Sequence, residues 1–478
     1  MIDTQAIRSK ILDLAMRGQL TEQLPEDGTA EELYQQIQEE KQKLIKDGSI
    51  KKNKTYPEIT NEDMLFNPPT NWKWIRFSNI ITLQSGQDLK KDEYNSNNNG
   101  IPYLTGASNF NSNNKLMINR WTTCPKSTAK QGDILLSCKG TVGKIAILHE
   151  EIVHIARQFM AIRVYLCNKA FVMFFLESII ERIKKASKGL IPGIERNDIL
   201  SLSIPLPPIA EQNRIVQKIK QAISILDTID ELQAQYTDNL TALKSKLIDA
   251  AIQGKLTKQL PEDGTAEELY QQIQEEKQRL IKEGKIKKSK PLPAITEDEI
   301  PFDIPENWKW IKLGNIANVL GGKRIPAGRT LTTENTGHKY IRISDMKNGT
   351  VNTEGLLFVP EDIYPSISQY IINKDDIYIT VAGTIGKVGK IPAEIDGANL
   401  TENADRIVFS IIDQDWLIVC LSSTVVQKQI ERLTTSVAQP KLAIKRIQAF
   451  SIPLPPLAEQ KRIVQKLDEI LKLCERMY

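Results

Sequence analysis

The sequence predicts an α+β protein in which two globular domains are joined by two long antiparallel, coiled-coil helices, arranged as a circularly permuted repeat about a pseudo-twofold axis. Three observations predict it. A long internal repeat runs through the 478 residues, a stripe of apolar residues at helical spacing marks the middle of the chain, and two divergent stretches carry short β-rich runs between Gly and Asn turns.

Gln23 to Gln42, QLPEDGTAEELYQQIQEEKQ, recurs unchanged at Gln259 to Gln278, an offset of 236. Trp72-Lys73-Trp74 returns as Trp308-Lys309-Trp310 at the same offset. Gly140-Thr141-Val142-Gly143-Lys144 is answered by Gly383-Thr384-Ile385-Gly386-Lys387 at 243, and SIPLPPIAEQNRIVQKI from Ser203 by SIPLPPLAEQKRIVQKL from Ser451 at 248. The chain ends carry the permutation. Pro456 to Tyr478 matches the start of the central segment, whereas SKILDLAMRGQLT from Ser9 matches its end, SKLIDAAIQGKLT from Ser245. The two ends are therefore expected to meet and rebuild a copy of the central helix.

Five segments follow in order: 1–70, a helical segment that completes the distal helix plus a linker; 71–204, a first variable domain; 205–306, the central helix and a linker; 307–452, a second variable domain; and 453–478, a C-terminal helix. The central helix is read from Ile219, Ala222, Leu226, Ile229, Leu232, Tyr236, Leu240, Leu243, Leu247 and Ala250, spaced three or four apart like one buried face. Pro207-Pro208 and Glu211 suit its start and Gly254 its stop, a rod of roughly 65 to 70 Å at ~1.5 Å per residue. Its partner is expected from Ile463, Leu467, Leu471, Ile7, Ile11 and Leu14. Shorter helices open on the capping boxes Thr29 to Glu32 and Thr265 to Glu268 and close at Gly48 and Gly284. Basic tails follow them, Lys51, Lys52 and Lys54, then Lys285, Lys287, Lys288 and Lys290, read as solvated linkers with phosphate contact as the alternative.

Charge separates the parts. Residues 71–204 carry +8 and 307–452 carry +3, so in a chain of net charge +4 the helical remainder is −7. The positive field lies on the variable domains, as a polyphosphate ligand requires. No run is apolar enough to cross a bilayer, and the charged residues of Met1 to Arg17 are unlike a secretory signal, so a cytoplasmic protein is expected. Cys124, Cys138, Cys167, Cys420 and Cys474 lack metal-ligand spacing and are read as buried thiols; the three histidines form no metal motif.

Catalytic signatures are missing too. Asn67-Pro68-Pro69-Thr70 lacks the aromatic that follows the prolines in amino-methyltransferases, has no counterpart in the second copy, and follows no Gly-rich turn for S-adenosylmethionine. No Walker loop is present. The Gly-Thr-x-Gly-Lys segments read as hairpin turns; if they touch DNA, Lys144 and Lys387 position the backbone. Base reading is sought among polar loop residues that differ between halves: Lys139, Arg157, Gln158, Lys188 and Arg196 in the first domain, and Lys323, Arg324, Arg329, Arg342, Gln439 and Lys441 in the second. Arg can fork onto guanine and Gln onto adenine.

Taken together, IPLPPIAEQNRIVQKI and IPLPPLAEQKRIVQKL, the Asn-Trp-Lys-Trp openings, the Gly-Thr-x-Gly-Lys turns and the permuted repeat resemble the specificity subunit of type I restriction-modification enzymes across essentially the whole chain. The resemblance implies two target recognition domains, each reading one half of a bipartite, gapped site in double-stranded DNA, with the helices setting the gap. It implies no catalysis and no cofactor in this chain. Two modification subunits would bring methyltransferase chemistry and S-adenosylmethionine, and restriction subunits would add ATP- and Mg²⁺-dependent translocation and cleavage. A coiled-coil scaffold whose variable domains bind proteins, or a methyltransferase or nuclease acting alone, are the competing classes; salt-sensitive DNA affinity and activity without partners discriminate them. The identity of the twenty-residue block exceeds what helix packing needs, and points either to two copies of one partner or to recent exchange between gene segments.

Overall fold

A computed structural model describes residues 1–51, 54–111, 115–186, 193–286, 291–434 and 441–476. The chain divides into two units, Met1–Ala234 and Gln235–Tyr478. The first holds helices α1 (Thr4–Met16), α2 (Ala30–Lys46), α3 (Lys169–Ala186), α4 (Arg196–Leu200) and the first part of α5 (Ile209–Ile252). Its strands are β1 (Lys73–Arg76), β2 (Ile81–Ser85), β3 (Ile101–Leu104), β4 (Trp121–Thr122), β5 (Thr128–Lys130), β6 (Ile134–Ser137), β7 (Ile145–Ile147), β8 (Ile152–Ile155), β9 (Phe159–Val164) and β10 (Ser203–Leu206). The second unit holds the rest of α5, then α6 (Ala266–Lys282), α7 (Leu313–Ile316), α8 (Tyr364–Ile367), α9 (Gln414–Ser422), α10 (Thr424–Thr434), α11 (Ile444–Gln448) and α12 (Leu457–Arg476). Its strands are β11 (Lys309–Lys312), β12 (Ala317–Gly321), β13 (Lys339–Ile341), β14 (Met346–Lys347), β15 (Thr350–Val351), β16 (Leu357–Phe358), β17 (Ile371–Ile372), β18 (Ile377–Thr380), β19 (Val388–Lys390), β20 (Ala398–Leu400), β21 (Ala404–Phe409) and β22 (Ser451–Leu454). Among the described residues, no helix is long and apolar enough to cross a membrane.

Each unit stacks two four-stranded sheets, ordered β2-β9-β6-β7 and β4-β3-β8-β5 in the first, β12-β21-β18-β19 and β16-β13-β20-β17 in the second. Strand alternation explains the stacking. Ile134 and Leu136 of β6 face the helices in one core, while Leu135 between them joins Leu104, Val153 and Ile155 in another. Ile377 and Ile379 of β18 likewise face away from Tyr378, whose core includes Ile341, Ile372 and Leu400.

The repeated sequence is a fastening built from polar groups. Glu211, in the first turn of α5 and fully buried, accepts hydrogen bonds from Trp72 Nε1 at 2.8 Å, Gln23 Nε2 at 2.9 Å and Asn71 Nδ2 at 3.3 Å. Glu459 in α12 does the same for Trp308 at 2.9 Å, Gln259 at 2.9 Å and Asn307 at 3.4 Å. Arg214 and Arg462, three residues on, each pair with an acid of the repeated block, Asp27 and Asp263, at 2.6 Å. Lys41 is buried and donates to the carbonyls of Ser78, Asn79 and Ile81; desolvation holds its pKa down at about 8. Lys277 repeats the role on Gly314 at 3.0 Å. Much of the twenty-residue identity is therefore required by side-chain hydrogen bonds as well as by apolar packing.

The stop signals behave as the residue types dictate. Gly18 and Gly254 have φ of +70° and +71°, and a Cβ there would meet Pro69 at 2.4 Å and Pro305 at 2.6 Å. Pro69 thus seats the chain before Trp72, whose N–H donates to its carbonyl at 3.0 Å. Both capping boxes form, Thr29 with Glu32 and Thr265 with Glu268.

Two sequence expectations need correction. In the first unit α1 runs antiparallel to α5, with Thr4 bound to Asp230 and Arg8 to Asp227 and Asp230; in the second, Thr257 and Gln259 beyond the end of α5 meet Glu459 near the start of α12. The apolar stripe of α5 is buried at Ile219 and Leu226, yet Leu232, Tyr236 and Leu243 are 58%, 38% and 43% exposed. The terminal helices have 13 and 20 residues against the 44 of α5, fewer even together than the helix they were expected to cover. The cysteines are not uniformly buried either: Cys124, beside the short edge strand β4, is exposed, and Cys167 is half-buried.

Candidate nucleic-acid interface

Strand pairing gathers four loops at one end of each unit. In the first, β2 and β6 both finish against the start of β9, Ser85 opposite Met160 and Ser137 opposite Phe159. Strands β3 and β8 are parallel, so Leu104 and Ile155 finish side by side. Loops 86–88, 105–109, 138–144 and 156–158 consequently form one rim. Backbone bonds knit it: Gly86 N to Phe159 O at 3.0 Å, Gln87 N to Ile155 O at 2.9 Å, Ala156 N to Leu104 O at 2.9 Å and Cys138 N to Gln158 O at 2.8 Å. The second unit repeats each bond, Gly322 N to Ala404 O at 3.1 Å, Lys323 N to Leu400 O at 2.8 Å, Thr401 N to Ile341 O at 3.1 Å and Val381 N to Asn403 O at 2.8 Å. Gly86 and Gly322 are fixed by close approach, since a Cβ would lie 2.0 Å from Ala156 O and 2.1 Å from Thr401 O.

The Gly-Thr-x-Gly-Lys segments are hairpin turns, joining antiparallel β6 to β7 and β18 to β19. Both glycines of each turn have positive φ. A hydroxyl closes each turn: Ser137 Oγ donates to Thr141 O and accepts from Lys144 N, both at 2.8 Å, and Thr380 Oγ1 makes the same two bonds with Thr384 O and Lys387 N.

The predicted residues divide by place. Lys139 is exposed on the rim, bridged to Gly193, and Arg157 and Gln158 stand beside it through the Cys138 bond. Lys144 closes the same turn, half-buried. Among the described residues, Gln158 Oε1 is enclosed without a hydrogen-bond partner. Arg196 is elsewhere: its Nη1 donates to Leu83 O at 2.9 Å and Ser85 Oγ at 3.0 Å. There it lines a cavity of about 1040 Å³ together with Lys51, Lys54, Lys130 and Arg163. The described part of the first basic tail, Lys51 and Lys54, therefore lies in a cationic groove. In the second unit the rim holds Lys323, Arg324, Arg342, Lys387 and Lys441, the last beside Leu442, whose N–H donates to Val381 O at 2.9 Å. Arg342 forks onto Asp345, which also caps its N–H at 2.9 Å. Arg329 leaves the rim and pairs with Asp362. Lys188 and Gln439 lie outside the described residues, as do Lys52, Lys287, Lys288 and Lys290.

Searching for cations passed over the acids of the rim. Asp88 holds Arg157 at 2.8 Å and Glu402 holds Arg324 at 2.5 Å. The offset of 236 that links Trp72 to Trp308 also links Gly86 to Gly322, and comparing the residues after those glycines would have found Asp88 opposite Arg324.

A family model described as the type I restriction modification DNA specificity domain matches the chain twice, over residues 69–236 and 305–476. The chain belongs to this family. Each specificity domain contains one complete rim together with the helix start that carries Glu211 or Glu459. The EcoAI specificity subunit of a type I restriction enzyme from Escherichia coli is 29% identical over 539 aligned residues, covering 98% of this chain and 89% of its own. The EcoEI specificity subunit, also from Escherichia coli, is 27% identical over 548, with the same coverage. A solved chain from work on complex assembly and conformational transition of the type I R-M system matches with a TM-score of 0.62 at 19% identity, covering 86% of this chain and 93% of that one. At that identity the likeness is one of fold.

Proposed function

We propose that this specificity subunit is a non-catalytic DNA reader in which each rim recognises one half of a bipartite, gapped site in double-stranded DNA. The observation that carries the reading is the duplication itself: one hydrogen-bonded rim is built twice on one polar fastening, while the side chains it presents differ. Phosphate contacts from the cationic groove and rim lysines would position the duplex, and rim side chains would read base edges. The helices act as spacer and as docking surface for two modification subunits, which supply S-adenosylmethionine-dependent methylation; restriction subunits add ATP- and Mg²⁺-dependent cleavage. Support for docking comes from the exposed apolar Ile225, Leu232 and Leu243 of α5, and from the identical exposed Gln35 and Gln42 of α2 and Gln271 and Gln278 of α6. Such an assembly works in the cytoplasm, where the DNA is.

The test is methylation of a randomised duplex library by this chain co-expressed with its cognate modification subunit, with the chain alone as control. Methylation confined to the complex and to one gapped sequence supports the reading. Modification by the chain alone, or a complex without preference, refutes it.

A further inference from the structure

The two rims carry the same ion pair with its charges exchanged. Asp88 and Arg324 each stand two residues after the closely approached glycine, and Arg157 and Glu402 each stand two residues after the parallel strand that ends at Ile155 or Leu400. In the first unit the acid is on the glycine loop and the guanidinium on the strand loop; in the second they are reversed. Folding does not require either polarity, because an exposed ion pair contributes little to stability and the backbone bonds beneath are the same in both units. The arginines are the more exposed members, 67% and 70%, so each guanidinium projects from the rim beside a carboxylate that orients it. Arg157 is held through Nε and its backbone N–H, and among the described residues its two terminal nitrogens have no protein partner.

We infer that each pair reads one G·C base pair from the major groove, and that the exchange of charges makes the two half-sites read it in opposite strand orientation. The chemistry follows from the edges displayed there. Guanine offers O6 and N7 acceptors that a guanidinium fork matches, and cytosine offers an N4 amino donor that a carboxylate accepts. An A·T pair also sets an amino donor, adenine N6, beside an acceptor, thymine O4, but thymine offers only that one acceptor where guanine offers two, so the fork is half satisfied. A pair lying in the plane of one base pair recognises both members at once, and swapping acid for base turns G·C into C·G. This rests on the bipartite reading proposed above.

The measurement is the same library selection, run with wild-type chain, with Asp88→Arg/Arg157→Asp, and with Asp88→Ala/Arg157→Ala, each in complex with the modification subunit and each checked by thermal melting. Wild type should show a fixed G·C pair in each half-site. The exchanged variant should invert that one pair in the first half-site, with the second half-site and the gap unchanged. The alanine variant should accept all four pairs at that position, with roughly a tenfold or greater loss of discrimination, the size expected when one bidentate contact is removed. An unchanged first half-site in either folded variant, or an equal loss of methylation on all sequences, overturns the inference. A wild-type complex without any gapped preference overturns the underlying reading instead.

Discussion

Single residues here carry more than packing. Glu211 is fully buried and gathers donors from Trp72, Gln23 and Asn71, so Glu211→Ala leaves the buried indole N–H of Trp72 without its acceptor and takes the same acceptor from two side-chain amides. The expected cost is about 3 kcal/mol, confined to protection of the first unit in hydrogen exchange, with the second unit unaffected because Glu459 serves it. His154 is a second case. Its Nδ1 accepts the N–H groups of Lys126 and Ser127, both at 3.2 Å, and its Nε2 lies 2.8 Å from Gln87 O, so both ring nitrogens are used by the neutral tautomer. Burial holds its pKa below the ordinary 6.5, with the charge of Lys126 acting the same way and Glu93 and Asp88 opposing. Stability from this group is fully present above pH 6.5 and is lost as pH falls from there toward the folded value, since only the unfolded chain takes up the proton. Asn399 occupies the equivalent place in the second unit, donating to Ile367 O at 2.8 Å. Acid titration followed by hydrogen exchange should therefore loosen the strands around His154, and His154→Asn should remove that local effect.

At the scale of elements, the rim depends on Gly86 and Gly322, where any side chain would strike a carbonyl. Gly86→Val should displace loop 86–88, destabilise the first unit by roughly 2 to 4 kcal/mol, and abolish recognition of one half-site while leaving the other intact; methylation of substrates carrying each half-site separately randomised reads this out. Much of the architecture was visible in the chain's letters because it rests on local rules. Capping boxes, the positive-φ stops at Gly48, Gly254 and Gly284, and the Gly-Thr-x-Gly-Lys hairpins each follow from a few neighbouring residues. What escaped were contacts between distant segments. Nothing local says that Glu211 receives Gln23 and Trp72, that Arg196 turns into a groove while Arg157 stays on the rim, or that acids accompany the rim arginines. The α5 stripe was overread for the same reason, since periodicity reports which face is apolar and not how far a partner extends.

For the whole molecule, the charge of +8 on residues 71–204 and +3 on 307–452 predicts DNA affinity that falls steeply with salt, with the first domain contributing the larger share. Anisotropy titrations between 50 and 200 mM salt should show several-fold to many-fold weakening, as is usual when several phosphates are neutralised; Lys51→Ala/Lys54→Ala should reduce the slope without altering which sequence is preferred. A final consequence concerns exchange of domains. One set of ties between a variable domain and its helices sits at the two margins, Asn71 to Lys73 on entry and Glu211 to Arg214 on exit, and Asn307 to Lys309 and Glu459 to Arg462 repeat it. Either socket presents the same fittings to whatever is spliced between them. A foreign domain placed in one socket would keep these margin ties and would have to supply its own partners along α5, as Asn168 does for Gln212 and Asn213 and Thr424 does for Asp249.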